Sequence, residues 1–243
     1  MSVLVEHSTM LPVMESFYTL QGEGFHKGRA AYFIRLGGCD VGCVWCDVKD
    51  SWDAEAHPKF SVDEIIEKLK YEVQSTKYEE KLKVKSQNQK LETTNEEQET
   101  INLQHQTSNI KPIVVITGGE PLMHNLDELT EQLQALGFET NIETSGSSPF
   151  SGSWNWICLS PKKFKAPLPE ILPLANELKI VVFNKSDFDW AEQYAAQVSP
   201  SCKLYLQPEW DKREIVTPLI IDYIKSNPQW QLSIQIHKYI NVP

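Results

Sequence analysis

Apolar residues fall along this 243-residue chain in short runs separated by turn residues. Residues 30–38 (AAYFIRLGG) read as a buried strand closing on a glycine turn. Residues 113–116 (IVVI) form a β-branched run of the kind seen in strands buried on both faces. Further strands are expected over 141–144, 156–160, 178–183 and 204–207, and a last one over about 231–237. Helical spacing alternates with them. Ser61 and Glu64 spell a capping box that opens a helix through Ile65, Ile66 and Leu69. Leu126, Leu129, Leu133 and Leu136 recur at helical intervals, with Gly137 as the C-cap, and a last helix is expected over about 218–226. Strands alternating with helices predict an α/β fold with a mainly parallel sheet, a partial barrel of the TIM-like kind. In such folds the chemistry gathers at the C-terminal ends of the strands.

One stretch breaks the pattern. Residues 76–110 are rich in Gln, Asn, Glu, Lys and Thr and contain neither Gly nor Pro. No continuous apolar face can form there, so a solvated insertion, disordered or loosely helical, is expected within a single domain spanning 1–243.

Composition narrows the class. Hydrophobic residues are 41% and charged residues 23% of the chain, an ordinary globular balance. The formal charge of −10 and pI of about 5.1 would repel a phosphate backbone, which argues against a nucleic-acid binder. No 18-residue apolar run exists to span a membrane, and residues 1–14 lack the basic-then-apolar order of a secretory signal. Five cysteines, three of them clustered, suggest a reducing, cytoplasmic setting and a metal site rather than a disulfide framework.

That cluster is Cys39-x3-Cys43-x2-Cys46, on a predicted loop. Three thiolates so close can converge on one centre, and thiolates suit iron–sulfur clusters and zinc. Structural zinc takes four ligands. Cys158 and Cys202 are distant singles in apolar sequence and read as buried thiols. His26 precedes the first predicted strand. Three ligands therefore favour a [4Fe–4S] cluster with one iron open to a second molecule. A zinc site with a remote fourth ligand, in a non-enzymatic interaction module, is the alternative. Downstream, Thr117-Gly118-Gly119-Glu120-Pro121 ends a predicted strand, and its glycines would let backbone oxygens approach a ligand closely.

With Trp45 ahead of the last cysteine, the triplet resembles the signature of the radical S-adenosylmethionine superfamily. The resemblance implies that the open iron is chelated by the amino and carboxylate groups of S-adenosylmethionine. Reductive cleavage would then leave methionine and a 5′-deoxyadenosyl radical, with the TGGEP segment contacting the amino group. The flanks resemble the 7-carboxy-7-deazaguanine synthase family over almost the whole chain except the insertion. The matching segments are ESFYTLQGEG from Glu15, Gly28-Arg29, RLGGC from Arg35, ETSG from Glu143, LSPK from Leu159, NELK from Asn176, LQP from Leu206 and HKYINVP to Pro243. A radical activase acting on a partner protein is a competing enzyme reading, which the pterin-type flanks disfavour.

This family resemblance implies conversion of 6-carboxy-5,6,7,8-tetrahydropterin to 7-carboxy-7-deazaguanine with loss of ammonia, on the route to queuosine and other 7-deazapurines. It implies that Leu20, Gln21, Gly22, Glu23, Arg35, Thr117 and the terminal Pro243 meet the substrate. Gln21 offers a donor and an acceptor to a pterin edge, Glu23 an acceptor for a guanidine-like NH pair, and Arg35 a bidentate partner for a carboxylate. For S-adenosylmethionine the matching positions are Gly119; Ser160, Pro161 and Lys162; and Gln207, Pro208, Glu209 and Trp210. An apolar strand over 232–236 would tie down the chain end. The resemblance further implies a homodimer and an electron donor such as flavodoxin or ferredoxin. No protein base is assigned. One position departs from the family. A threonine whose hydroxyl helps hold Mg²⁺ is replaced here by Val48, which has no side-chain oxygen, and Mg²⁺ prefers oxygen ligands. Lys49, Asp50 or Ser51 are the candidates to compensate.

Overall fold

The computed structural model describes residues 8–75 and 111–243, so the insertion expected at 76–110 lies outside the described residues. Among the described residues, nine strands join in one sheet ordered β3-β1-β2-β4-β5-β6-β7-β8-β9. They are β1 (Met10–Leu20), β2 (Ala30–Leu36), β3 (Lys59–Ser61), β4 (Ile113–Gly118), β5 (Glu139–Thr144), β6 (Trp156–Leu159), β7 (Glu177–Val182), β8 (Lys203–Pro208) and β9 (Trp230–Leu232). From β2 to β9 every pairing is parallel, while β1 runs antiparallel to β2 and β3. The sheet does not close on itself, as a partial barrel should not.

Helix α1 covers 62–75 and packs Val62, Ile65, Ile66, Leu69 and Val73 into the core. Its capping box forms as the sequence predicts: Glu64 N donates to Ser61 Oγ at 3.3 Å, and Ser61 N donates to Glu64 Oε2 at 2.7 Å. Helix α2 (Asp127–Ala135) ends at Gly137, where Gly137 N reaches Gln134 O and Phe138 N reaches Leu133 O, the paired bonds of a Schellman stop. Helices α3 (Ser186–Ala195), α4 (Arg213–Ser226) and α5 (Ile236–Ile240) complete the set. Helices α1 to α4 pack on the aliphatic side of the sheet, and α5 lies by a cavity at the C-terminal strand ends.

Strand periodicity divides the sheet into two unlike faces. One set of alternate positions is aliphatic: Ile34, Val114, Ile116, Ile142, Leu178, Ile180 and Leu206 lie beneath Leu129, Leu133, Phe188 and Ile220 in the main core. The opposite set begins with a small apolar cluster of Ala31, Ile113, Val115 and Phe33, then turns polar towards the C-terminal ends. Parallel register keeps this second set aligned: Arg35 stands beside Thr117, Val115 beside Asn141, Glu143 beside Cys158, and Val181 beside Gln207.

Several elements differ from expectation. Strand β1 went unread because Pro12 and its polar residues mask it; it sits near the sheet edge, where proline is tolerated, with a bulge between Val13 and Glu15. Helix α3 also went unread. Asp187 anchors its start by accepting from Phe183 N at 2.7 Å and Asn184 N at 2.8 Å. Helix α4 begins at Arg213 instead of 218, leaving Pro218 inside it. The last strand is only three residues long, so no strand spans 232–236. The chain end is tied down differently: Gly24 N donates to Ser233 Oγ at 3.1 Å and Ile236 N to Gly22 O at 3.0 Å, across the gap between the sheet's two ends. No described helix is long and apolar enough to cross a membrane.

Candidate active site

The polar face, the loop after β2 and the C-terminal segment enclose a cavity of about 290 Å³ at the C-terminal strand ends. Cys39, Cys43 and Cys46 all line it, on a loop whose turn is held by Cys46 N donating to Cys43 O at 3.1 Å. The loop is seated by Gly38 N to Ser51 O at 2.7 Å, Cys39 N to Trp52 O at 3.1 Å and Glu120 N to Gly38 O at 2.8 Å. The TGGEP glycines make this seating possible. Gly118 has φ of +132°, which disfavours any side chain, and a Cβ on Gly119 would overlap the Gly38 carbonyl oxygen and the Cys39 Cβ. Glu120 then accepts from Leu122 N, Ser145 N and the hydroxyls of Thr144 and Ser145, fastening the β4 loop to the β5 loop.

The three thiols are free. Burial pushes the Cys39 thiol up, and the neighbouring Glu120 carboxylate adds to it; burial also raises Cys43, opposed by the nearby Lys162 ammonium. Among the described residues no three His, Cys, Asp or Glu side chains gather tightly enough to hold a single ion. Three thiols facing one cavity do fit a multi-atom cluster, which each thiolate meets at a separate corner. Cys158 and Cys202 are buried away from the triplet, as expected.

The same cavity is lined by a network of buried charge. Lys179 Nζ pairs closely with Glu23 Oε2 and lies 3.3 Å from Glu143 Oε2, with its side chain only 5% exposed. Gln235 Nε2 donates to Glu23 Oε1 at 2.9 Å. Burial alone would raise the Glu23 carboxyl, but the Lys179 ammonium and the amide donors bring it down to about 2. Lys179 is pushed well above its ordinary value, because the two carboxylates outweigh its desolvation. The Glu23–Lys179 pair is therefore ionised at neutral pH. His237 also faces the cavity, and a Cβ on Gly22 would overlap its ring.

All seven substrate candidates line the cavity: Leu20, Gln21, Gly22, Glu23, Arg35, Thr117 and Pro243. Arg35 Nε donates to Glu15 Oε1 at 2.7 Å, which leaves the outer guanidinium nitrogens to face the cavity. The Gln21 amide is engaged internally, donating to Glu143 Oε1 at 3.0 Å and accepting from Glu23 N at 3.1 Å. Thr19 Oγ1 donates to Pro243 O at 3.3 Å. Of the S-adenosylmethionine candidates, Gly119, Ser160, Lys162, Gln207, Pro208, Glu209 and Trp210 line the cavity, and Pro161 does not. Lys162 Nζ donates to Ser160 Oγ at 2.6 Å. Glu209 caps a single helical turn through Asp211 N and Lys212 N, and Trp210 lies under the Arg213 and Lys238 cations. Val48 faces the cavity; Lys49, Asp50 and Ser51 do not. Asp47, two residues before Lys49, does, and it pairs with Lys238 at 3.1 Å.

Among the lining residues with no expected role are four polar ones of the charge network and its rim: Glu143, Lys179, Gln235 and His237. Glu143 and Lys179 sit in the ETSG and NELK segments. For Lys179 the signal was a charged side chain inside the largely apolar strand ELKIVV, where an unpaired charge is costly; Glu143 sits in the polar strand ETNIET and gave no such signal.

Comparison with known proteins identifies the family. No protein-family model matches the chain. A 7-carboxy-7-deazaguanine synthase of Flavobacterium psychrophilum is 45% identical over 241 residues, 99% of this chain and 97% of that one. The Synechocystis enzyme of the same name is 42% identical over 95% of this chain and 93% of its own, and the Escherichia coli K12 enzyme 35% identical over 95% and 98%. The crystal structure of QueE from Escherichia coli superposes with a TM-score of 0.68 at 29% identity, covering 93% of this chain and 94% of that one. A cysteine loop and a polar cavity at the strand ends, together with full-length relatives at these identities, place the chain in the 7-carboxy-7-deazaguanine synthase family of radical S-adenosylmethionine enzymes.

Proposed function

We propose that the chain converts 6-carboxy-5,6,7,8-tetrahydropterin to 7-carboxy-7-deazaguanine with release of ammonia, in queuosine and 7-deazapurine biosynthesis. The observation that carries this reading is one cavity lined both by three thiols and by a paired set of carboxylates, Lys179 and Arg35. Cys39, Cys43 and Cys46 hold a [4Fe–4S] cluster, and Gly119, Ser160, Lys162, Gln207, Pro208, Glu209 and Trp210 hold S-adenosylmethionine. When bound, these cofactors supply a 5′-deoxyadenosyl radical.

The chain's own residues bind and orient. Arg35, steadied by Glu15, takes the substrate carboxylate through its free nitrogens. Glu23, held ionised by Lys179, accepts from the guanidine-like edge of the pterin. Phe17 and Phe33, stacked with centroids 5.5 Å apart, form an apolar wall that excludes water. The same reading takes the chain as a single domain with a polar insertion, assembled as a homodimer in the cytoplasm and reduced by a flavodoxin- or ferredoxin-like donor.

The decisive experiment is anaerobic. Reconstituted protein given reductant, S-adenosylmethionine and carboxytetrahydropterin is expected to yield 7-carboxy-7-deazaguanine by mass. Formation of 5′-deoxyadenosine without it would keep the radical chemistry and reject the substrate.

The Mg²⁺ site does not fit so well. Val48 brings no oxygen to the cavity, and neighbouring Asp47 is engaged by Lys238. Turnover after chelation is therefore expected to fall less in this enzyme than in its Val48→Thr variant. An equally strict Mg²⁺ requirement in both would contradict this.

A further inference from the structure

Beneath the active-site cavity the polar face of the sheet encloses a second, much smaller space of about 10 Å³. That is room for one water molecule. Asn141 and Glu143 on β5, Cys158 on β6, Glu177 on β7 and His26 from the β1–β2 connection border it. Gln21, Glu23 and Glu143 border both spaces, so they form the floor between them. Two buried atoms here, His26 Nε2 and Asn141 Oδ1, have no hydrogen-bond partner among the described residues. Their residues are 7% and 3% exposed. Leaving such a group unsatisfied is costly, so each calls for a partner.

The protons identify what that partner is. Arg29 Nη1 lies 2.9 Å from His26 Nδ1, and a guanidinium only donates. Nδ1 therefore accepts, and the ring proton sits on Nε2. Burial and the adjacent Arg29 charge both oppose protonation of the ring, which keeps it neutral. The space thus presents an N–H donor on one side and an amide oxygen and carboxylates on the other. A cation would meet the N–H, and an anion would meet the carboxylates. Water accepts from the first and donates to the second.

We propose that one buried water binds there, accepting from His26 Nε2–H and donating to Asn141 Oδ1 and to Glu143. Asn141 and Glu143 are two apart on one strand, so their side chains share a face. Each Glu143 oxygen already takes one donor, Gln21 or Lys179, and retains a lone pair for another. Through the water, His26 and Asn141 become positioning residues for Glu143, which faces the active-site cavity. This positioning role rests on the carboxypterin reading; the water site does not.

A crystal structure that resolves ordered solvent is expected to show one water within hydrogen-bond reach of His26 Nε2 and Asn141 Oδ1. An empty space, or an ion there, overturns the proposal. Asn141→Leu, which fills the space and removes the acceptor, is expected to raise KM for carboxytetrahydropterin about tenfold with a smaller change in kcat, and Asn141→Ser, which keeps a neutral acceptor oxygen, to restore most of it. Equal loss in both variants would mean packing alone and would refute the positioning role. Should Asn141→Leu not fold, His26→Phe removes the donor while keeping a ring beside Trp156, and the same KM rise is required. Wild-type protein that makes no 7-carboxy-7-deazaguanine would refute the functional reading and leave the crystallographic result to judge the water.

Discussion

Replacing Cys39 by alanine is expected to abolish both 5′-deoxyadenosine and 7-carboxy-7-deazaguanine. Cys39 lies where the loop after β2 meets the TGGEP turn, with Gly119 too close to its Cβ to carry a side chain. Cys43 and Cys46 line the same cavity but come from the far side of the turn. Removing one of three ligands opens the cluster to solvent and loss of iron. The drop should exceed the roughly 10–100-fold that removal of a ligand's outer partner costs. Cys202→Ala is the control, since Cys202 is buried in the main core and lines neither described cavity. Iron and sulfide content, cluster absorbance and both products should be measured together. Retained cleavage of S-adenosylmethionine by Cys39→Ala would contradict the ligand assignment, and one tightly bound zinc without iron in the wild type would contradict the enzyme reading altogether.

Lys179→Met is expected to destabilise the fold as well as impair substrate binding. The lysine neutralises two carboxylates, Glu23 from the β1–β2 connection and Glu143 on β5. Without it two carboxylates share a desolvated site with no counter-charge. Breaking a buried pair in this way costs about 3–5 kcal/mol. For a chain of this size that is a fall in Tm of roughly 6–20 °C. The triple variant Lys179→Met, Glu23→Gln, Glu143→Gln should recover much of the stability, because no buried charge is left unpaired, yet still bind substrate poorly. Recovery of substrate affinity by the triple variant would show that the carboxylates do not recognise the pterin. The pH dependence follows from the Glu23 shift. Its carboxyl falls from 4.5 to about 2 on folding, so the pairing stabilises above about 4.5, and this contribution is lost as pH drops towards 2. In Lys179→Met the carboxylates have no counter-charge, so acid that protonates them should relieve the strain and narrow the gap to wild type.

Much of this protein follows from local rules. The β-branched run at 113–116, the leucine spacing of α2 and the Ser61–Glu64 capping box each specify an element through contacts within a few residues, and each formed as read. The cysteine spacing needed no fold to suggest a shared centre, because eight residues of loop, Cys39 to Cys46, keep three thiols together wherever the loop is placed. Strand β1 was hidden because its stability comes from pairing with β2 and β3, to which its own proline and polar residues give no clue. The end of the chain was misread as strand because β8 offers β9 only three partners before Ser233–Ile236 turns back to Gly22 and Gly24. The charge network was equally out of reach. Lys179 on β7 and Glu23 in the β1–β2 connection are separated by 156 residues, and only the tertiary fold brings that connection against β7. Periodicity and spacing determined which segments fold and where a cofactor could sit; tertiary structure decided which charges pair in the cavity, because a buried charge is stable only beside a partner that the chain supplies from far away.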